Sequence, residues 1–209
     1  MKALSAQHPL RLTIYDKTDI TSDLLGLEVP VGLTHSWFAG GRLYRLMRWV
    51  DETRGFATWE DALDWLAHTE PDRKIKQIQV WGHGGPGRSY MAGEALSHDS
   101  VYQGRHVLAL QLIADRMTRD GVIWFRQCSV FAGPNGHRFA RTWANEMGCR
   151  VAGHTHIIGP WQSGLHTIEP NENPRWPTGE GLVDGKPVWG RPWTANTVNM
   201  LRSDIPDGW

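Results

Sequence analysis

The chain has 209 residues, of which 40% are hydrophobic and 21% charged, which is typical of a globular protein with a substantial core. Its 22 basic and 22 acidic residues cancel and no basic run occurs, so the composition does not favour nucleic acid or an anionic membrane as a partner. The first ten residues lack the apolar core of a signal peptide, and no stretch approaches the roughly 20 apolar residues of a membrane span, which predicts a cytoplasmic protein.

Strand and helix signals alternate in the first half of the chain. Residues 11–15 alternate between apolar and polar and end at Asp16, which predicts a strand, and residues 43–50 are a second candidate. Residues 58–61, Thr-Trp-Glu-Asp, have the pattern of a capping box that opens an amphipathic helix. Residues 77–81 follow as a short apolar run that is typical of a buried strand.

The same alternation continues in the second half. Residues 107–117 carry apolar side chains at every third or fourth position, which predicts a helix, and an apolar strand begins at Val122. Asn135 is placed to cap a further helix that Gly148 closes, and residues 149–153 form the next strand. The series predicts an α/β fold with a mainly parallel sheet that is covered on both faces.

The composition changes beyond Pro160, where the chain becomes rich in Gly, Pro and Asn. Because large aromatic side chains favour burial, we expect an irregular segment that packs back onto the domain. The predicted organisation is an α/β domain over residues 1–168 and an irregular extension over residues 169–209. The aromatic residues concerned are Trp161, Trp176, Trp189, Trp193 and Trp209.

Two of the predicted strands end at reactive side chains. His83 follows residues 77–81 within a glycine-rich turn, and Cys128 follows the strand that begins at Val122. The helix between them makes a βαβ crossover, so the two strands are parallel and both side chains lie at the same edge of the sheet. Adjacent strands lie about 4.8 Å apart, close enough for a thiol and an imidazole to act on one substrate bond. The pattern is typical of a Cys/His hydrolase.

The two cysteines are expected to be free thiols. Cys128 ends one predicted strand and Cys149 begins the next, which separates them by roughly 15 Å and places them beyond disulfide reach. Free thiols suit a reducing compartment. Cys149 has no reactive neighbour in the sequence, and we expect it in the core.

Several motifs, taken in order, resemble a known family. They resemble the bacterial domain of unknown function 4347, a group similar to the caspase-like, or clan CD, cysteine peptidases, and the resemblance covers about residues 10–168. It implies a caspase-like three-layer α/β/α sandwich with a mainly parallel sheet and an irregular Trp-rich C-terminal segment. The motifs are Gly82-His-Gly-Gly-Pro-Gly87, Tyr90-Met-Ala-Gly93, Cys128-Ser-Val-Phe-Ala-Gly133, Gly136-His-Arg-Phe139 and Val151-Ala-Gly-His-Thr-His-Ile-Ile-Gly159.

The resemblance also implies an activity, that of a cysteine endopeptidase acting on a peptide or protein substrate without a metal or an organic cofactor. By position, Cys128 would be the nucleophile and His83 the general acid and base. The backbone amides of Gly84 and Cys128 would form the oxyanion hole. Asp16, at the end of the first strand, is a candidate to orient His83. The oligomeric state is not indicated.

Other residues near the predicted site have open roles. Arg126 shares the face of Cys128 by strand alternation, and it either lowers the pKa of the thiol or fills the pocket and marks an inactive relative. Trp161 is a candidate pocket residue. Three carboxylates are candidate partners for a basic substrate side chain, namely Glu169, Glu180 and Asp184.

Two alternative functions remain open. The first is a catalytically inactive caspase-like module that binds a protein partner through its Trp-rich surface. The second is a zinc-dependent hydrolase, because His154 and His156 lie two residues apart at a strand end and share the expected sheet edge with His83. Closely paired zinc ligands are missing from the sequence, so these two histidines are expected instead to line the rim of the crevice.

Overall fold

The computed structural model describes residues 8–24, 27–29, 32–206 and 208–209. Its main elements are six strands in one sheet and four helices. The strands are β1 (Leu10–Asp16), β2 (Glu52–Phe56), β3 (Ile75–Trp81), β4 (Met117–Arg126), β5 (Arg150–His154) and β6 (Leu165–Ile168). The helices are α1 (Leu33–Leu46), α2 (Trp59–His68), α3 (Val107–Arg116) and α4 (Gly133–Met147). Within the described ranges, no helix is long and apolar enough to cross a membrane.

The structure also contains shorter elements outside the main sheet and the four helices. A three-stranded sheet follows β3, and a single 3₁₀ turn precedes α3. Three two-stranded pairs lie elsewhere in the chain. The small sheet comprises Gly84–Gly85, Arg88–Met91 and Glu94–Leu96, the 3₁₀ turn is Asp99–Val101, and the pairs are Ser22–Leu24 with Leu27–Val29, Trp161–Gln162 with Val198–Asn199, and Leu182–Val183 with Lys186–Pro187.

The strand order in the main sheet is β6-β5-β4-β3-β1-β2. Strands β1 to β5 are parallel to their neighbours, and β6 runs antiparallel to β5, which confirms the mainly parallel sheet. Strands β3 and β4 are direct neighbours, with Trp81 paired to Arg126. His83 and Cys128 each follow this pair by two residues, so the register places both positions at the carboxyl edge, after neighbouring strands.

One face of the sheet is apolar. Ile78 and Val80 of β3 and Ile123 and Phe125 of β4 belong to one large buried cluster, together with apolar side chains of α2, α3 and α4. Burying a side chain of this size contributes about 1.5–3 kcal/mol relative to exposure, so this cluster is the main source of stability. Phe125 meets Phe139 and Trp143 of α4 edge to face, with ring centroids 4.9 and 5.1 Å apart.

The opposite face of the same strands carries polar side chains between two smaller apolar clusters, and the C-terminal segment packs on it. Gln77 and Gln79 of β3 both donate to the carbonyl of Ser203, at 3.2 and 3.4 Å. Near the end of the chain, the hydroxyl of Thr167 donates to the carbonyl of Trp209. Carbonyl groups of the segment therefore contribute to its attachment to the sheet, together with the apolar packing of Val198.

Arg126 is the centre of this polar face. Its guanidinium is buried and donates to the Tyr44 hydroxyl at 2.5 Å and to Gln162 at 2.6 and 2.9 Å. It also donates to the carbonyls of Met200 and Arg202, at 3.1 and 3.0 Å. Burial lowers the pKa of this guanidinium, and no carboxylate among the described residues forms a salt bridge with it. Neutral oxygen atoms thus hold a buried cation between the sheet and the C-terminal segment.

Two local predictions about helices are wrong. Residues 43–46, predicted as strand, belong to α1, and the strand in this region is β2. The helix packs so closely on β2 that a Cβ atom at Gly41 would collide with Thr53, and this glycine weakened the helical pattern in the sequence. Helix α4 begins at Gly133, two residues before Asn135, and its N-cap residue, Ala132, makes no side-chain capping bond.

Two other helix predictions are confirmed. Thr58 is the N-cap of α2, and its hydroxyl accepts a hydrogen bond from the amide of Asp61 at 3.1 Å. Gly148 closes α4 in the left-handed conformation, with φ of 61°.

The tryptophans of the C-terminal part divide into two groups. Trp176 is buried and stacks on Phe131 with centroids 5.2 Å apart, and Trp209 packs against a smaller cluster around Val198. The expectation of burial is wrong for Trp161, Trp189 and Trp193, which are exposed. These indoles can face solvent because backbone carbonyls and the packing of Val198, as described above, attach the segment to the sheet.

Replacing Arg126 by Met should detach the C-terminal segment. The change leaves the carbonyls of Met200 and Arg202 and the side chain of Gln162 without their donor, and we expect a loss of about 3 kcal/mol in the free energy of unfolding. Urea titration measures the loss, and limited proteolysis shows whether cleavage concentrates beyond residue 169. The matched control is Arg202→Met, because that exposed side chain can be removed while its carbonyl stays. Equal stability of the two variants would contradict the assignment.

Candidate functional site

The carboxyl edge of the sheet carries a row of residues in the order of the strands. Asp19 follows β1, His83 follows β3 and Cys128 follows β4, while the loop containing Ile158 follows β5. Since the strand order is β1-β3-β4-β5 in this part of the sheet, these four positions are consecutive neighbours along one edge. Carboxyl edges of parallel sheets are where ligands commonly bind.

His83 is held by a carboxylate. Its Nε2 atom lies 2.8 Å from Oδ2 of Asp19, and 53% of the imidazole side chain is exposed. The ring of Trp37 from α1 meets the imidazole edge to face, with centroids 5.7 Å apart. Asp19 thus orients His83 through Nε2, while Nδ1 has no hydrogen-bond partner among the described residues.

The residue that orients His83 is Asp19, and not Asp16 as the sequence suggested. The Asp16 carboxylate accepts hydrogen bonds from the amide and hydroxyl of Thr18, at 2.8 and 2.7 Å, and from the amide of Ala92 at 2.9 Å. It therefore fixes the turn after β1 and does not orient His83. The order Asp-x-Thr is typical of an Asx turn, which is the signal that could have shown Asp16 to be engaged locally. Asp19 was missed because its contact with His83 spans 64 residues.

Cys128 is partly buried, and its thiol lies 3.8 Å from the carbonyl of Ile158. Burial raises the pKa of this thiol, while backbone hydrogen bonds at Ile158 and at Cys128 itself act in the opposite direction. The thiol is therefore protonated at neutral pH in this structure. Among the described residues, no hydrogen bond joins Cys128 to His83.

Arg126 fulfils neither of the roles left open for it. None of its hydrogen bonds reaches Cys128, and the ring that its guanidinium covers most closely, at 4.3 Å, belongs to Trp124. It is not among the groups that shift the pKa of the thiol. Arg126 is a structural cation beneath the C-terminal segment.

The backbone around Cys128 contacts the turn after β3 on one side and the loop after β5 on the other. A Cβ atom at Gly84 would lie 2.5 Å from the carbonyl oxygen of Cys128, so the glycine-rich turn after β3 rests directly on the thiol-bearing turn. Ser129 adopts a left-handed conformation with φ of 56°, and its amide donates to the carbonyl of His156 at 2.9 Å. Among the described residues, the amide of Cys128 donates to no backbone carbonyl outside the helices and strands, and it acts on the thiol of the same residue, whose pKa it lowers.

The histidines at the end of β5 do not join the site. His154 is fully buried, accepts a hydrogen bond from the Trp124 indole at 3.2 Å and contacts the Ser163 carbonyl at 3.2 Å. Burial lowers its pKa to about 3, so it stays neutral. His156 lies 3.0 Å from the hydroxyl of Thr155, and burial lowers its pKa too.

The alternative zinc set of His83, His154 and His156 is therefore not assembled. Within residues that the structure describes, no group of three or more His, Cys, Asp or Glu side chains could hold a metal ion. The expectation that His154 and His156 line the crevice rim is also wrong, because both lie beneath the surface.

Cys149 and Glu180 have surroundings that differ from those of Cys128. Cys149 is fully buried, and burial raises the pKa of its thiol to about 12, so it has no reactive character. Both cysteines are free, as expected. Glu180 contacts His166 at 2.7 Å and accepts from Thr155 at 2.8 Å, which leaves it engaged inside the protein.

Comparison with known proteins identifies one family. A family model described as a domain of unknown function, DUF4347, matches residues 52–166, more than half of the chain. The matched part contains both His83 and Cys128, whereas Asp19 and the C-terminal segment lie outside it. No curated protein and no solved structure matches the chain significantly.

The substitution Gly84→Ala tests the packing of the two turns. The added methyl group would meet the Cys128 carbonyl at 2.5 Å and displace it, so we expect about 1–3 kcal/mol of destabilisation and an altered rate of Cys128 alkylation by iodoacetamide. The matched control is Gly85→Ala, where the nearest atom is a ring carbon of Tyr90 at 3.7 Å. Unfolding titrations and mass spectrometry of the alkylated peptide measure both effects. Two variants that behave alike would contradict the proposed contact.

Proposed function

The chain belongs to the DUF4347 family, and we propose that it is a caspase-like cysteine endopeptidase that hydrolyses peptide bonds with Cys128 and His83. The observation that carries the proposal is the register of β3 and β4, in which Trp81 pairs with Arg126 and the two reactive residues each follow by two positions. The proposal includes a caspase-like three-layer α/β/α sandwich, with α2, α3 and α4 on one face and α1 with the C-terminal segment on the other.

The first half of the reaction forms a thioester. His83 accepts the proton of the Cys128 thiol, and the sulfur attacks the carbonyl carbon of the substrate, so that an S–C bond forms and the carbonyl oxygen becomes an oxyanion. The amides of Gly84 and Cys128 donate to this oxyanion. His83 then gives its proton to the nitrogen as the C–N bond breaks, and the amine product leaves.

The second half regenerates the thiol. His83 takes a proton from a water molecule, the resulting hydroxide attacks the thioester carbon, and the S–C bond breaks to release the carboxylic acid. The departing thiolate recovers the proton from His83. Proton transfer by a positioned group of this kind contributes typically about 10²- to 10⁴-fold in rate. The raised pKa of the Cys128 thiol makes a base necessary, because the resting thiol does not ionise unaided at neutral pH.

Asp19 acts in this scheme as a positioning residue. Its carboxylate accepts a hydrogen bond from the protonated Nε2 of His83 at 2.8 Å. This leaves Nδ1 as the nitrogen that exchanges protons with the thiol and the substrate. The carbonyl of Asp19 in turn accepts from the amide of Thr34 at 3.0 Å, at the start of α1. The start of α1 therefore supports the orientation of the imidazole.

A catalytically inactive module that binds a protein partner is the second candidate function. The raised pKa of the Cys128 thiol and the exposed indoles of Trp189 and Trp193 favour it. Large exposed aromatic groups commonly mark interaction surfaces. In that case the protein would bind polypeptide without cleaving it.

Removing the thiol separates the two candidate functions. We expect Cys128→Ala to abolish both cleavage of a peptide library and labelling by iodoacetamide, while Cys149→Ala, the matched control, retains both because its thiol is buried. Mass spectrometry reads out cleavage sites and labelled peptides. Equal cleavage by wild type and Cys128→Ala would reject the peptidase, and labelling of Cys128 without cleavage of any peptide would favour the binding module.

The labelling should also depend on pH in a defined direction. Because burial raises the pKa of Cys128, its alkylation rate should increase with pH with a midpoint above the value of about 8.5 for an ordinary cysteine. A midpoint below that value in the free protein would contradict the protonated resting thiol.

Substitutions of the two acidic residues after β1 should have different effects. Asp19→Asn should lower kcat by about tenfold or more while the free energy of unfolding changes little, because the carboxylate orients the base. Asp16→Asn should instead lower the free energy of unfolding by about 1–3 kcal/mol, because it weakens hydrogen bonds to Thr18 and Ala92. Asp19→Glu should recover part of the rate. Steady-state kinetics and urea titration of all three variants check this, and a kinetic effect of Asp16→Asn alone would reverse the assignment.

A further inference from the structure

A buried hydrogen bond between two side chains connects the turn after β4 with the small sheet that follows β3. The hydroxyl of Ser89 donates to Oε1 of Gln127 at 2.6 Å, and both side chains are buried. Gln127 directly precedes Cys128 in the chain. The thiol-bearing turn is therefore joined by a side chain to a part of the protein that lies 38 residues away along the sequence.

Ser89 belongs to the strand that holds the backbone of His83. It pairs with Gly84, the residue that follows the imidazole. The amide of Tyr90, the residue that follows Ser89, donates to the carbonyl of His83 at 2.9 Å. One further backbone hydrogen bond thus extends the link from Ser89 to the residue that carries the imidazole.

Gln127 also packs against the residues on both sides of His83. A Cβ atom at Gly84 would lie 2.9 Å from Cβ of Gln127, and a Cβ atom at Gly82 would lie 3.1 Å from its Nε2 atom. The glutamine side chain therefore limits where the backbone of the imidazole-bearing turn can lie.

The amide group of Gln127 is not explained by stability. Its Nε2 atom is buried and has no hydrogen-bond partner among the described residues. A buried donor without an acceptor costs free energy, and a methionine, which has a similar length, would avoid that cost. A buried group of this kind calls for a role other than stabilising the fold.

We propose that Gln127 and Ser89 are positioning residues, whose hydrogen bond holds the imidazole of His83 at a fixed place relative to the thiol of Cys128. The inference rests on the proposed function for the roles of these two groups and adds the connection between them. Both positioning side chains are buried, so neither touches a substrate. Loss of their bond should therefore lower kcat and leave KM nearly unchanged.

A double-mutant cycle tests the connection. Ser89→Ala and Gln127→Met each remove one partner, and the double variant removes both. We expect all three proteins to lose kcat by a similar factor, up to about 100-fold, because they break the same bond and a small displacement of a reacting group has effects of this size. Steady-state kinetics measure kcat and KM. Urea titration should show the double variant to be at least as stable as either single variant, because no partner is left unpaired.

Alkylation of Cys128 gives a second measurement that does not require cleavage. Since His83 accepts the proton of the thiol, His83→Ala should slow the reaction with iodoacetamide at a fixed pH. In the Ser89→Ala background the same substitution should have little effect, because the imidazole is already displaced. Ser89 is distant from Cys128 in sequence, so this background avoids a direct disturbance of the thiol-bearing turn.

The matched control is Gln77→Met, near the start of β3. This change also removes a buried glutamine, whose Nε2 donates to the carbonyl of Ser203 at 3.2 Å, but it does so away from the carboxyl edge. It should retain kcat and the full effect of His83→Ala. Additive losses of kcat in the double variant, or a Gln77→Met protein that behaves like Ser89→Ala, would overturn the proposal.

The alkylation result also separates this inference from the proposed function. If the wild-type protein cleaves peptides and the effect of His83→Ala on alkylation persists in the Ser89→Ala background, the peptidase stands and the connection is rejected. If that effect disappears with Ser89→Ala while the wild-type protein cleaves no peptide, the connection stands and the peptidase is rejected. An alkylation rate that does not depend on His83 at all would overturn the inference whatever the cleavage assay shows.

Discussion

The pairing of β3 with β4 is the constraint on which the candidate site depends. Parallel strands place their carboxyl ends at one edge, and the pairing of Trp81 with Arg126 brings the two following turns to the same level. A shift of register by one residue would move a side chain to the other face of the sheet and separate the imidazole from the thiol. The contact between Gly84 and the Cys128 carbonyl reinforces this register beyond the ends of the strands, because only a residue without a side chain fits there. The two strands thus set the positions of the turns that follow them, and these turns carry His83 and Cys128.

The two faces of the sheet are stabilised by different physical means. One face buries apolar side chains against α2, α3 and α4, and the stabilisation there scales with the area removed from water. The other face carries Gln77, Gln79 and Arg126, whose polar groups must find partners when they are buried. The carbonyl groups of the C-terminal segment supply those partners, so this segment can be irregular in conformation and still be well attached. Two tryptophans of the segment, Trp189 and Trp193, remain exposed, whereas Trp176 is buried.

The local elements were largely predictable because their signals lie within a few residues of each other. The Thr58 cap, the left-handed Gly148 and the strand runs before His83 and Cys128 each depend on adjacent positions, and the structure contains all of them. Helix α1 was missed because Gly41 lowers the local helix signal while serving a tertiary contact with Thr53. The start of α4 was misplaced because Ala132 gives no side-chain signal as a cap.

From the sequence alone one could read the succession of strands and helices, the parallel direction of β3 and β4, and the position of His83 and Cys128 after the ends of these strands. Hydrophobic periodicity and the handedness of crossovers are local or nearly local properties of a chain. The packing of distant segments was needed to establish that Asp19 and not Asp16 holds His83, that Arg126 binds the C-terminal segment, that His154 and His156 are buried, and that Trp189 is exposed beside Gly159. Those outcomes depend on which groups remain without a hydrogen-bond partner after the strands have packed, and the partners lie many residues away along the chain.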